Sequence, residues 1–267
     1  LPIFFDTSIN SYKLIDLFFG FILFFFLTNI IYIINDFTDI QIDKINKLKK
    51  HKINKKLSII ILIISLLPII LLFFFKKEIF NIYFYLYLIV FLFYNYFFKK
   101  KKYLDVIFLS FFYLIRIYYG FEIYEKLEIS LGFTVFFFLL FIHLAFVKKY
   151  LQIFANDFQT NNKIITYNFN DTSKIKNLTY ILSASNLFFI LLYIFHNTVK
   201  KIPNLFLLEN QNEVFEIFLF MIFFIFFIFK TNKILSDKPK KEIISVYLLD
   251  YKFLSLFSIL IFIFLFF

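Results

Sequence analysis

Residues 19–45 read FGFILFFFLTNIIYIINDFTDIQIDKI. An apolar run, Phe19 to Ile34, passes without a break into Asn35-Asp36-Phe37-Thr38-Asp39-Ile40-Gln41-Ile42-Asp43. Asp36, Asp39 and Asp43 fall at i, i+3 and i+7. At about 100° per residue they occupy one helical face, with Asn35 beside them. Lys44, Lys47, Lys49, Lys50, Lys52, Lys55 and Lys56 follow at once. An apolar helix ending in a carboxylate stripe and then a run of ammonium groups predicts a membrane-edge site for a divalent cation and a phosphorylated substrate. Mg²⁺ binds through one or two carboxylates, keeps several waters and shares phosphate oxygens, and the three aspartates offer such ligands over about two turns. The plainer alternative is a solvated carboxylate cluster that balances the lysines. Against it, unpaired charge at the hydrocarbon edge is costly.

Working outward, the whole chain carries the same apolar character. Of its 267 residues, 61% are hydrophobic and 25% aromatic, and the mean hydropathy is +0.82. A water-soluble domain could not bury that much apolar surface, and the long uninterrupted runs argue against a β-barrel. The expected class is an all-α, polytopic transmembrane helical bundle. Apolar windows near 12–34, 57–75, 79–98, 103–121, 130–147, 177–195, 214–229 and 246–266 predict eight complete spans. Leu1-Pro2-Ile3-Phe4-Phe5 reads as the end of another. The first residue is Leu, so the natural N-terminus is expected to be truncated. A single transmembrane domain, 1–267, is expected, with no linker or long repeat. Asn156-Asp157 echoes Asn35-Asp36 at the end of another span. The three glycines are isolated, so the spans are expected to pack through Ser, Ala and aromatic contacts.

Loop charge orients the bundle. Twenty-one lysines fall on the side of the 44–56, 99–102, 148–176 and 230–241 segments and six on the other. The positive-inside rule places the lysine-rich side in the cytoplasm. The net charge of +11 is then largely an anchoring charge, and no nucleic-acid-binding motif accompanies it. There is no cysteine, which removes disulfides, thiolate catalysis and Cys-ligated metals. Arg116 is the one arginine and lies within a span, where it either lines a polar cavity or pairs with a carboxylate to hold helices together. Asp105 lies three turns earlier on the same face, or else at the interface balancing Lys99 to Lys102. His143 reads mainly as a structural hydrogen-bonding group, and His51 as a loop residue within reach of a phosphate.

The segment Tyr32 to Asp43 resembles the NDxxDxxxD signature of the UbiA prenyltransferase superfamily. Lys49-Lys50-His51-Lys52 resembles that family's basic segment, and Tyr103-Leu104-Asp105 through Arg116 to Gly120 its fifth helix. Phe146 to Gln152 resembles the Lys-Arg-Tyr-x-Glu segment of one branch, the polyprenyl-phosphate phosphoribosyltransferases of decaprenyl-phosphate type. Ser236-Asp237 through Asp250 is similar to that branch's last cytoplasmic loop. The branch departs from the aromatic prenyltransferases in lacking a second DxxxD motif; here Asp157-Phe158-Gln159-Thr160-Asn161 has one carboxylate. Lys149 stands where the branch usually has Arg, Gln152 where it has Glu, and Lys52-Ile53 where it has Arg-Pro.

The resemblance implies a UbiA-like bundle of about nine helices in the full protein, eight complete here, in the bacterial inner (plasma) membrane with the site facing the cytoplasm. It implies a Mg²⁺-dependent transferase moving 5-phosphoribosyl from phosphoribosyl diphosphate (PRPP) to a polyprenyl phosphate, for cell-envelope glycan precursors. Asp36, Asp39 and Asp43 would hold the metal and act catalytically. Asn35, Lys49, Lys50, Lys52, Arg116, Lys148, Lys149, Tyr150 and Gln152 would bind substrate. One alternative is transfer of a prenyl chain from its diphosphate to an aromatic or lipophilic acceptor. Another is a transporter or non-catalytic membrane module, which paired Gly/Pro helix interruptions would support; only Pro68 lies clearly inside a span.

Overall fold

A computed structural model describes residues 11–38, 55–124, 131–155, 167, 169–199 and 225–236. Every regular element among them is helical. They are α1 Ser11–Thr38, α2 Lys55–Phe75, α3 Ile82–Phe93, α4 Leu104–Tyr124, α5 Leu131–Ala155, α6 Thr172–Val199 and α7 at 225–236. Four helical segments are long and apolar enough to cross a membrane: Leu14–Thr38, Lys56–Phe75, Leu104–Ile123 and Leu131–Ile153. This is a helical, membrane-type architecture, as composition demanded. The windows at 12–34, 57–75, 103–121 and 130–147 each find their helix.

Two other windows differ in kind. The 79–98 window is interrupted. A 3₁₀ turn at Lys77–Ile79 precedes α3, whose first turn is capped by Asn81, its side chain accepting from the N–H groups of Tyr83 (3.1 Å) and Phe84 (3.3 Å). The helix then widens into a π turn over Tyr94–Phe98. The 177–195 window lies in α6, which has 28 residues but carries Lys174, Lys176, Asn177, Thr179, Ser183, Ser185 and Asn186, and is not among the four. The 214–229 window is described only from 225, and 246–266 lies outside the described residues, as does Leu1 to Phe5.

The chain divides into two compact units, Leu1–Glu128 and Ile129–Phe267. In the first, α1 packs on α2 and α4, and α3 on α4. Leu23, Phe24, Leu27 and Ile31 form the buried stripe of α1. Phe24 is the hub: its ring lies 5.1 Å from Tyr87, 4.2 Å from Tyr119 and 6.5 Å from Phe84. Aromatic rings fill this core because the chain has few small residues to bring backbones together. Gly20 is the exception. A Cβ built there would meet Ile123 Cδ1 at 2.6 Å and Tyr119 at 3.2 Å, so its hydrogen lets α4 approach α1. Packing is thus aromatic, as expected, with one glycine contact added.

Polar ties fix direction. Lys76, just past α2, donates to Asp16 near the start of α1 at 2.7 Å. Lys99, just past the π turn, donates to Asn35 near the end of α1 at 3.2 Å. So α1 and α3 run parallel, α2 and α4 run against them, and Lys99 to Lys102 gather at the Asn35 end. α2 is a single helix through Pro68.

In the second unit α5 packs on α6. Lys149 lies over the ring of Tyr167, ahead of α6, at 5.5 Å, which joins the end of α5 to the start of α6 and makes the pair antiparallel. His143 meets Phe227 (ring centroids 6.2 Å), and seven residues on, Tyr150 donates to the carbonyl of Leu235 at 2.9 Å. Both steps advance in the same sense, so α7 lies parallel to α5.

Candidate functional site

Asn35 and Asp36 sit in the last turn of α1, both half-buried. The helix continues to Thr38, whose hydroxyl donates back to the Asn35 carbonyl at 2.9 Å. Asp36 therefore projects from intact helix, at the end of an apolar span, with hard oxygen donors of the kind Mg²⁺ takes. Asp39 and Asp43, which complete the stripe, lie outside the described residues, as do Lys49, Lys50, Lys52 and His51. Among the described residues no three His, Cys, Asp or Glu side chains converge as a metal site. The fit to Mg²⁺ thus rests here on Asp36.

The structure adds a residue to this end that motif reading left out. Lys99 was grouped with the anchoring lysines, yet its ammonium is drawn onto Asn35 Oδ1. What delivers it is local backbone. The π turn at Tyr94–Phe98 inserts an extra residue into α3, and such turns recur at functional positions. Five residues past that turn, Tyr103 has φ 66°, in the left-handed region that a non-glycine residue enters at a cost of about 1–2 kcal/mol. These two irregularities bracket Lys99 to Lys102. The signal in sequence is only four consecutive lysines, a pattern that an anchoring loop carries equally well. The Phe98 ring stacks on Phe108 of α4 at 3.9 Å and 12°, seating the irregular segment on regular helix.

Asp105 belongs to the same end. It is fully buried, and one carboxylate oxygen accepts from the Val106 N–H at 2.9 Å in the first turn of α4. Arg116 lies about 16 Å further along the helix. Arg116 donates from Nε to the Tyr87 hydroxyl at 3.1 Å and again from a terminal nitrogen to the same oxygen. Its guanidinium carbon lies 5.2 Å from the Tyr87 ring and 5.5 Å from that of Tyr113. Among the described residues its partners are phenol and π faces. The carboxylate-pairing option for Arg116 finds no partner there, and two of its five N–H groups are used on one oxygen.

In the second unit the expected 148–161 loop begins as helix, since α5 runs to Ala155. Lys148 and Lys149, adjacent on a helix, diverge by about 100°. Lys148 is exposed, and Lys149 is half-buried against Tyr167. Tyr150 is 2% exposed, with its hydroxyl given to Leu235, so its place is between helices. Gln152 is half-buried two residues on. Asp157 to Asn161 lie outside the described residues.

The end of α1 thus carries the half-buried Asp36 carboxylate beside the Asn35 amide that the Lys99 ammonium meets. Arg116, deeper in the same unit, is tied to tyrosines. When the chain is compared with known proteins, no family model and no curated protein matches it.

Proposed function

We propose that the protein is an integral-membrane transferase that moves 5-phosphoribosyl from PRPP to a polyprenyl phosphate, with a UbiA-like bundle and its site on the cytoplasmic face of a bacterial inner membrane. The observation that carries this reading is the half-buried Asn35-Asp36 at the end of an apolar span, with Lys99 brought to it. Asp36, Asp39 and Asp43 hold Mg²⁺, which supplies charge neutralisation on the diphosphate. Asn35 and Lys99 orient the diphosphate oxygens, and Lys49, Lys50 and Lys52 hold the ribose phosphate. Lys148 and Lys149 take the lipid phosphate. An oxygen of that phosphate, already anionic, attacks ribose C1. The C1–O bond to diphosphate breaks, and diphosphate leaves with the bonding pair, so no base is needed.

The test uses purified protein in lipid, Mg²⁺, ring-labelled PRPP and polyprenyl phosphate. The expected product is a solvent-extractable lipid-linked pentose phosphate, formed at least 100-fold more slowly by Asp39→Asn. No such product overturns this reading, and transfer of label from a labelled prenyl diphosphate to a lipophilic acceptor in a parallel reaction would replace it with prenyl transfer.

A further inference from the structure

The segment that brings Lys99 to Asn35 carries two more lysines that the proposed reaction does not use. Lys100 and Lys101 are both exposed. Among the described residues neither ammonium is in an ion pair. Lys101 lies over the Phe98 ring at 5.7 Å, and that ring is itself stacked on Phe108 of α4. An aromatic face under the ammonium favours this placement.

An apolar face of α3 leads up to these lysines. Ile82, Leu86, Ile89 and Phe93 are exposed and recur at intervals of four, three and four, on one side of the helix. Tyr96 and Phe97, 80% and 60% exposed, carry the face into the π turn. From Ile82 to Phe97 it extends about 20 Å along the axis. The hydrocarbon of one leaflet is about 15 Å deep, so an acyl chain can lie along this face over its whole length. Tyr96 presents a ring and a hydroxyl at the lysine end, as tyrosines do where hydrocarbon meets headgroups.

Charge decides what covers the face. A second copy sharing it about an axis along the membrane normal would bring lysine ends together, at a cost that grows as water is excluded. A lipid with a net negative headgroup instead meets two cations where its acyl chains meet Phe93 and Tyr96. Each lysine beside a bilayer surface adds roughly fivefold in affinity for anionic lipid. A zwitterionic headgroup gains less, because its own ammonium group offsets its phosphate. We propose that Lys100, Lys101 and the exposed face of α3 form a docking site for an anionic phospholipid of the surrounding bilayer. Its phosphate sits between the two ammonium groups, and its acyl chains follow Ile89, Phe93 and Tyr96. Lys99, given to Asn35, stays with the proposed reaction, so the lysine run is divided between two sites.

The test needs neither PRPP nor Mg²⁺, so its outcome is separate from that of the transferase reading. The chain has no tryptophan. Tyr96→Trp therefore places a single reporter at the site, and Leu67→Trp one at an exposed mid-span position of α2. Each protein is reconstituted in phosphatidylcholine carrying brominated phosphatidylglycerol or brominated phosphatidylcholine, whose bromines quench an adjacent indole. The expected result is a preference for phosphatidylglycerol at least fivefold greater at position 96 than at position 67. Lys100→Gln/Lys101→Gln should bring position 96 to within twofold of position 67. Equal preferences at the two positions, or a preference that survives the double replacement, overturn the site. So does its loss on adding inorganic phosphate at constant ionic strength, which assigns the lysines to a free anion. Quenching at position 96 by neither lipid shows protein covering the face and overturns the site as well. Should Tyr96→Trp fail to fold, Phe97→Trp takes its place.

Discussion

At the scale of single residues, the irregular stretch from Tyr94 to Tyr103 makes the sharpest predictions. Lys99→Ala should raise the KM for PRPP about 10- to 100-fold in the lipid-transfer assay, because a charge-assisted contact of roughly 1.5–3 kcal/mol goes with it. Lys100→Ala, one residue along and exposed, should leave the KM within about twofold. Tyr103 at φ 66° predicts an order of tolerance: Tyr103→Val should lower the melting temperature more than Tyr103→Asn or Tyr103→Gly, since a β-branched side chain is worst in the left-handed region. Arg116→Lys keeps the charge but loses the forked donor and the flat face over Tyr87 and Tyr113. A loss of about 1–3 kcal/mol is expected, and a double-mutant cycle with Tyr87→Phe should return a coupling near 1 kcal/mol or more.

At the scale of elements, α1 is organised by what it leaves off one face. Gly20 admits Ile123 and Tyr119, and Phe24, one turn on, fills the space between three aromatic neighbours. Gly20→Val should cost about 1–3 kcal/mol by forcing Tyr119 or the α4 backbone aside, read as a lower thermal midpoint in detergent. The outer tie, Lys76 to Asp16, has a pH signature. The hydrogen bond to Asp16 raises the Lys76 pKa above its ordinary value, against a smaller lowering by burial. Its contribution is whole below the ordinary lysine pKa and fades as pH rises through the raised one. Lys76→Gln should therefore lower stability at neutral pH and flatten the alkaline limb, so that the two proteins converge at high pH.

For the whole molecule, the first unit has two chemically distinct ends. Lys99 to Lys102 and Asn35-Asp36 share one, while Asp16, Lys76 and Glu122 share the other. Because the chain has no cysteine, single replacements report sidedness cleanly. Lys100→Cys and Lys77→Cys, both at exposed positions, should be labelled by an impermeant maleimide from opposite faces, with Lys100 reached only from the cytoplasm. Labelling of both from one face would overturn the expectation that the 79–98 window crosses the membrane.

The sequence by itself determined the helical, membrane-type class and the positions of the four long apolar helices. Those depend on a local quantity, an apolar run of sufficient length. It also marked Asp36 as a membrane-edge carboxylate, because helical spacing is a property of neighbours in the chain. It did not disclose that Lys99 reaches Asn35 across 64 positions, that Asp105 is buried, or that Arg116 rests on Tyr87. Nor did it separate Tyr150, tied between helices, from Lys148, exposed two residues earlier. Tertiary structure decided these, because burial and partnership depend on which faces of packed helices meet. In a chain with 49 phenylalanines, apolar residues cover every face and periodicity carries little record of which one turns inward.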